Sequence, residues 1–580
     1  VTRLKFSLIG YRMRLLIAAA MFVVSIAMLL LGLGQRTIWA PPASVSMAVT
    51  FNSANPFVVI PHETLALHPG SPTVHVAGSQ AGAFISSGRE SDVMAFIGKS
   101  SSAKVTLTPK KSDLVIEQAT NTGAGFSPLG LDIWRDQSNG SVDASLTTST
   151  AQDAAVLVAS NGFRASPGQI QIVWPIARDW TWPNVLIAAG SLILLAALVL
   201  LIWHLSERRR KNGPRRRLPK APSGPKYRAK NKARFAPARG RRAAGRRAIV
   251  MPLAFATLFA LSGCGYPGGT PSATPSVSPT ANQVAPAVVT TGQLARILAD
   301  VAIEARAADA SNDKKSLLPR FTGPAFNLRA VHYFLRSKSN KINALPAIVD
   351  KPLSFSLPAA TVGWPRSIMA VTDEPGDSAL PQLLVLQQKS PRENYQVWYT
   401  VRLMPGAKIP AVPSAENGAI PVDSKSLFLK VPPLSLPATY GDLINKGQSS
   451  LSAQLFDTRN DEFYKQVSTS QQEQVKNLKN GKISFTHKLG DSNVIGLSTS
   501  QAGALVAVYM TDTYVIKPTK VGTAVGVSGQ EALILGGNGS TKGVRSIYGN
   551  MLLFFVPALS ESTKIRLIGV TQGLVSVRSL

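Results

Sequence analysis

Two uncharged apolar runs constrain this chain more than any other feature: LLIAAAMFVVSIAMLLLGLG at residues 15–34 and VLIAAGSLILLAALVLLIW at 185–203. A bilayer core of about 30 Å takes about 20 apolar residues at helical rise. Both runs meet that length, and the sequence reading places transmembrane helices at 15–34 and 185–205. Trp180, Trp182 and Trp203 flank the second run, where amphipathic rings prefer the headgroup region. A pair of buried core helices is the competing reading, but runs this long and this uniformly apolar do not suit a soluble core.

Flanking cations set the orientation. Arg3, Lys5, Arg12 and Arg14 precede the first run, and Arg208, Arg209, Arg210 and Lys211 follow the second. Positive flanks stay in the cytoplasm, so 1–14 and 206–247 are expected inside and 35–182 outside. The exported stretch carries 9 basic and 10 acidic residues, and nothing in that balance opposes export.

The formal net charge of +31 would ordinarily raise nucleic acid as a partner. Its distribution argues against that. Eighteen Lys and Arg, with no Asp or Glu, lie between Arg208 and Arg247. Pro, Gly and cations dominate this segment, which is too poor in large apolar residues to order itself. It reads as a solvated cytoplasmic loop, with anionic lipid headgroups as the sharper partner at about 1 kcal/mol per cation near the surface. Only Tyr227 and Phe235 offer stacking surfaces for bases.

Next comes RRAAGRRAIVMPLAFATLFALSGC, a charged stretch, an apolar run at 249–261 and then the sole cysteine of the chain, Cys264. The run has the length of a signal-peptide core and is short for a span. The pattern resembles the lipobox of bacterial lipoproteins. That resemblance implies a diacylglyceryl group on the Cys264 sulfur and cleavage between Gly263 and Cys264. The alternative for 248–264 is a short third span. Either way the chain re-enters the membrane from inside, and 265–580 is expected outside. Residues 265–290, rich in Pro, Ser and Thr, read as an extended tether. One cysteine excludes an intrachain disulfide, so the exported parts must hold by their cores.

Those parts differ. Residues 35–182 contain short runs with strand character: SMAVTFN, FVVIP, ETLALH, TVHVAG, AGAFIS, VMAFIG, KVTLTP, DLVIEQ, AAVLVAS and QIQIVWP. Their spacing, with turn residues between, predicts an all-β, sandwich-like domain. Residues 291–580 mix periods. Leu294, Ile297, Leu298, Val301, Ala302 and Ala305 fall on one helical face, with Thr291 as the expected cap. A second helix starts near Pro324, and others are expected at 440–456 and 461–479. Strands fill the rest of each half, including EALIL before residue 536. The reading is tandem α+β domains, 291–436 and 437–580.

The order of elements, and RFTGPAFNLRAVHYF in particular, resembles the cone-shaped nuclear transport factor 2-like fold. The whole chain resembles an uncharacterised family of actinobacterial envelope membrane proteins or lipoproteins. The resemblance implies a fold and a compartment and no catalytic residues. It also implies a pocket that His332 and Tyr333 on the second helix would face, against the plainer reading that both pack or meet solvent.

No chemistry declares itself. His62, His68, His75, His204, His332 and His487 lack ligand spacing, so no metal site or cofactor is expected. LGGNGSTKG at 535–543 lacks the Gly-Lys-Ser/Thr ending of a phosphate loop and reads as a hairpin turn. No G-x-S-x-G elbow occurs. Two function classes remain. One is a non-enzymatic envelope protein whose exported domains bind protein partners or organise an assembly. The other is a tethered small-molecule binder or enzyme using a cone-shaped pocket in 291–580.

Overall fold

The computed structural model describes residues 2–52, 54–78, 81–110, 113–119, 123–151, 153–211, 287–357, 363–373, 380–414 and 417–580. Cys264, the 248–264 segment, most of the basic loop and most of the tether lie outside the described residues. The chain divides into two compact units, 1–40 with 179–283 and 41–178 with 284–580.

In chain order the elements begin with α1 (Thr2–Arg36), β1 (Ser44–Thr50), β2 (Phe57–Ile60), α2 (His62–Leu65), β3 (Thr73–Ala77), β4 (Ala83–Arg89) and α3 (Glu90–Ile97). Then come β5 (Ser102–Leu107), β6 (Leu114–Ala119), β7 (Asp136–Gly140), β8 (Ala144–Thr147), β9 (Ala154–Ala159), β10 (Gln169–Pro175) and α4 (Thr181–Lys211). The later part holds α5 (Thr291–Ser311), α6 (Gly323–Lys338), β11 (Pro352–Ser356), β12 (Arg366–Thr372), β13 (Gln382–Gln388) and β14 (Gln396–Leu403). It continues with α7 (Leu436–Lys446), α8 (Glu462–Asn477), β15 (Gly481–Leu489), β16 (Ile495–Ser498) and β17 (Gly503–Pro518). It ends with β18 (Val525–Gly526), α9 (Gly529–Leu535), β19 (Gly539–Ser540), β20 (Val544–Pro557) and β21 (Arg566–Ser579).

In the first unit, Leu15–Arg36 of α1 and Thr181–Glu207 of α4 are long and apolar enough to cross a membrane. The two helices pack along a line of mostly small residues. Ala18, Ser25 and Gly32 of α1 are buried, as are Gly190, Ala197 and His204 of α4, each set spaced by seven. A Cβ at Gly32 would stand 2.7 Å from Ile187 Cγ1, too close to fit. Close backbone approach through small residues is how helices associate where lipid removes the hydrophobic drive.

The second unit begins with two sheets, ordered β1-β10-β3-β8 and β6-β5-β2-β9-β4-β7. They face each other across Val58, Ile85, Val156 and Val158 on one side and Val74, Val76, Ile172 and Trp174 on the other. The six-stranded sheet also buries its second face, where Phe57, Phe84 and Leu157 meet Val93, Phe96 and Ile97 of α3 and Trp134. Burial on both faces explains why FVVI and AAVLVA show no alternation, while SVSMAVT and QIQIVWP alternate.

Two of the expected strands are helices. ETLALH forms α2 and a turn, and VMAFIG lies largely in α3. Short apolar runs do not separate strand from buried helix by period alone. The local chemistry favours helix: Glu90 and Asp92 sit in the first turn of α3 and Gly98 ends it at φ +56°. The weakly apolar β7 and β8 carried no strand signal.

Residues 287–580 build one long sheet, ordered β11-β12-β13-β14-β21-β20-β17-β15, with β16 on β17. One sheet therefore takes strands from both sides of the 436/437 division drawn from sequence, joined through β14 and β21. The apolar face of α5 is buried as its period requires. Its cap is Thr290, one residue earlier than expected, in a capping box with Gln293. EALIL is helical, in α9, and ends at Gly536 in the left-handed region. The glycine-rich 535–543 stretch thus leads from a helix into β20, the reverse of a phosphate loop.

The sandwich and the long-sheet region meet in a seam sealed by charge. Arg366, on β12, grips the Asp92 carboxylate with two bonds of 2.7 and 3.1 Å, both side chains being 3% exposed, and stacks on Trp364. Arg392 donates to the carbonyls of Phe96 and Ile97 at 2.8 Å each, satisfying the open end of α3. Helix α3 is thereby clamped at both ends. Nearby, Asp132 accepts from Arg320 Nη1 at 2.5 Å and from the Tyr395 amide at 2.8 Å. Burial holds the Asp132 carboxyl above the usual carboxylate range despite Arg320. Gln293 donates to the Asp132 and Ile133 carbonyls and Arg296 to that of Trp134. Most donors come from one side and most acceptors from the other.

Candidate functional site

A second seam, inside the long sheet, stays open. Strands β14 and β21 pair only through Arg402 with Val570 and Leu403 with Gly569. Beyond those pairs the strands part, and the Arg402 amide also donates to the Thr571 hydroxyl at 3.1 Å. Helix α6 lies over the gap, carrying Ala325, Leu328, Arg329, His332 and Leu335 on one helical face. The result is a cavity of about 190 Å³. Leu345 and Ile348 from the loop after α6, with Met551 and Leu574, supply further apolar wall. Gln530 and Gln572 are exposed at its edge. Gly573 lies close under α6, where a Cβ would stand 2.9 Å from Leu328 Cδ2 and push that side chain aside.

The polar part of the lining is distinctive. It comprises Arg329, His332, Gln382, Thr400, Arg402, Gln530, Thr571 and Gln572, with no carboxylate among the described lining residues. Arg329 is committed elsewhere, to Asp309 Oδ1 at 2.5 Å. Gln382 donates to the Ala347 carbonyl at 2.7 Å. His332 bonds through Nε2 to the Asn343 carbonyl at 2.9 Å. A carbonyl only accepts, so Nε2 carries the proton and Nδ1 is left as the acceptor of a neutral ring. Burial, followed by Arg336 and Arg329, lowers the His332 pKa and keeps it neutral at pH 7. The half-buried Arg402 has no ion pair and no side-chain hydrogen bond among the described residues.

The two residues that the resemblance would turn toward a pocket, with packing or solvent as the plainer alternative, are placed differently. His332 lines the cavity, whereas Tyr333 is buried in the core and donates to Asp309 at 2.6 Å. Burial and the Asp309 acceptor push the Tyr333 phenol up to about 12. A pair that sequence reasoning passed over lies elsewhere, beneath α7 and α8. His487 Nδ1 meets Asp512 Oδ1 at 2.6 Å, both side chains fully covered, and Gln471 closes the other ring nitrogen at 3.2 Å. Gly441 permits this, since a Cβ there would collide with His487. Full cover makes the pair a core feature rather than a reaction centre. Alternation in FTHKL, which points His487 to the same face as Phe485, was the available signal. Among the described residues no group of three or more His, Cys, Asp or Glu could hold a metal.

A family model, described as a domain of unknown function, DUF8094, matches residues 285–579. That range takes in the long sheet, its helices and the cavity. No curated protein and no solved structure matches the chain.

Proposed function

We propose, from the premise that the chain belongs to the DUF8094 family over residues 285–579, that it is a non-enzymatic membrane protein of the cell envelope whose exported body binds other molecules. The observation that carries this is the sealed seam. If α1 and α4 cross the membrane, residues 41–178 lie on one side and the chain leaving α4 lies on the other. Yet Asp92 and Asp132 are buried against Arg366 and Arg320 of the later region. Ionic partners at 2–6% exposure hold together only as parts of one folded body. On that reading the chain between crosses back, and the apolar 249–261 run is the segment suited to that. The flanking cations put the body outside.

The lipobox pattern supports a lipid anchor at Cys264. One acyl chain holds a protein marginally and two hold it stably, so a diacylglyceryl group would retain residues 264–580 even after cleavage. The sealed seam would then keep both products together. Envelope proteins are the expected partners on the outside, and anionic headgroups those of the basic loop inside.

A second reading, small-molecule binding, draws on the open seam. A cavity with an apolar wall and a few polar groups is the form ligand sites take.

The topology is tested with single cysteines in a Cys264→Ser background. Val142→Cys and Val521→Cys, both exposed, should label with a membrane-impermeant maleimide on intact cells, and Pro225→Cys only after permeabilisation. Labelling at 142 with protection at 521 would overturn the proposal.

A further inference from the structure

We infer that the cavity between β14 and β21 binds a small organic anion, a carboxylate or monophosphate bearing an apolar ring or short chain, with Arg402 as its charge partner. The inference rests on the small-molecule reading given above. Size comes first. An apolar cavity of about 150 Å³ holds a benzene ring, so about 190 Å³ admits a ring with a small substituent. The wall suits such a group, with Leu328, Leu335, Leu345, Ile348, Met551 and Leu574 lining the cavity.

Charge follows from what the cationic groups are doing. Arg329 is neutralised by Asp309, and His332 is neutral with its Nε2 proton held by Asn343. That leaves Arg402 as the one cation of the described lining without a partner, at a wall that contains no carboxylate. A half-buried guanidinium gains most from a carboxylate or phosphate, which it grips through two parallel N–H bonds. The neighbouring hydroxyls of Thr400 and Thr571 and the amide of Gln572 can donate to the remaining oxygens. A cationic ligand would meet Arg402 with no acid to offset it, and a neutral one would leave the charge unanswered.

The test uses the purified full chain in detergent and isothermal titration with four probes: benzoate, phenyl phosphate, benzamide and acetate. Benzoate or phenyl phosphate should bind about tenfold or more tighter than benzamide, the scale of one charge-assisted bond, and the stronger of the two identifies the anion. Acetate, lacking the apolar part, should bind at least as weakly as benzamide. Arg402→Gln should abolish the preference for the anion and leave benzamide unchanged. Leu328→Phe, which fills the cavity, should abolish binding of every probe while preserving a cooperative melt. Equal binding of benzamide and the anions, unaltered by Arg402→Gln, would overturn the anion assignment and leave the small-molecule reading intact. No binding of any probe, or binding indifferent to Leu328→Phe, would overturn both.

Discussion

The two seams of the body formed by 41–178 and 287–580 are built to opposite plans. Where the sandwich meets the long sheet, arginines on one side reach carboxylates and carbonyls on the other, and helix α3 is held at both ends. Where the two halves of the long sheet meet, two residue pairs suffice, and the strands then part around a cavity. Arginine is used differently in each. Arg320, Arg366 and Arg392 have protein partners, whereas Arg402 has none among the described residues. A satisfied buried charge locks two surfaces in one arrangement. An unsatisfied one at a cavity wall is available to a ligand. The difference is one of satisfaction: the first seam pairs its charges across two parts of the chain, and the second leaves a guanidinium unpaired among the described residues at a cavity wall.

That contrast can be broken by substitution, with effects that should descend in order. Asp92→Ala leaves the Arg366 guanidinium buried without its carboxylate and should cost about 3–5 kcal/mol, read by denaturant unfolding of the full chain. Arg392→Ala releases two helix-end carbonyls and should cost about 1–3 kcal/mol in the same assay. Gln293→Ala removes half a capping box and two bonds to the Asp132 loop, for about 1 kcal/mol. Arg402→Gln should change stability by less than about 0.5 kcal/mol, because no protein group depends on it. A loss at Arg402 as large as that at Asp92 would erase the distinction between the seams.

How much of this was legible in the sequence depended on the range of the signal. The two long apolar helices were plain because about 20 uncharged apolar residues in a row suit a long helix better than any shorter element. Most strands were legible by alternation, and the apolar face of α5 by its helical period. Helices α3 and α9 were misread because eight or fewer residues carry too little period, although Asp92 and Gly98 for one and Gly536 for the other held the local clues. Pairing of β14 with β21 joins residues far apart in the chain, and no local pattern announces it. The same holds for the seam: Asp92 and Arg366 look like ordinary surface charges until folding brings them together. His332 reached a cavity and Tyr333 did not because adjacent helical residues point about 100° apart, which their shared helix could not reveal without knowing its buried face.

Residues 41–178 and 287–580 form one body, and should do so whatever happens to the chain between them. A protease site placed within 270–280 of the full chain allows a direct measurement: cut the detergent-purified protein and pass it over a size-exclusion column. The two pieces should co-elute, at low salt and at about 1 M salt alike, since buried pairs are screened little, and should separate when Asp92→Ala and Arg320→Ala are combined. Separation of the unsubstituted pieces would contradict the single body.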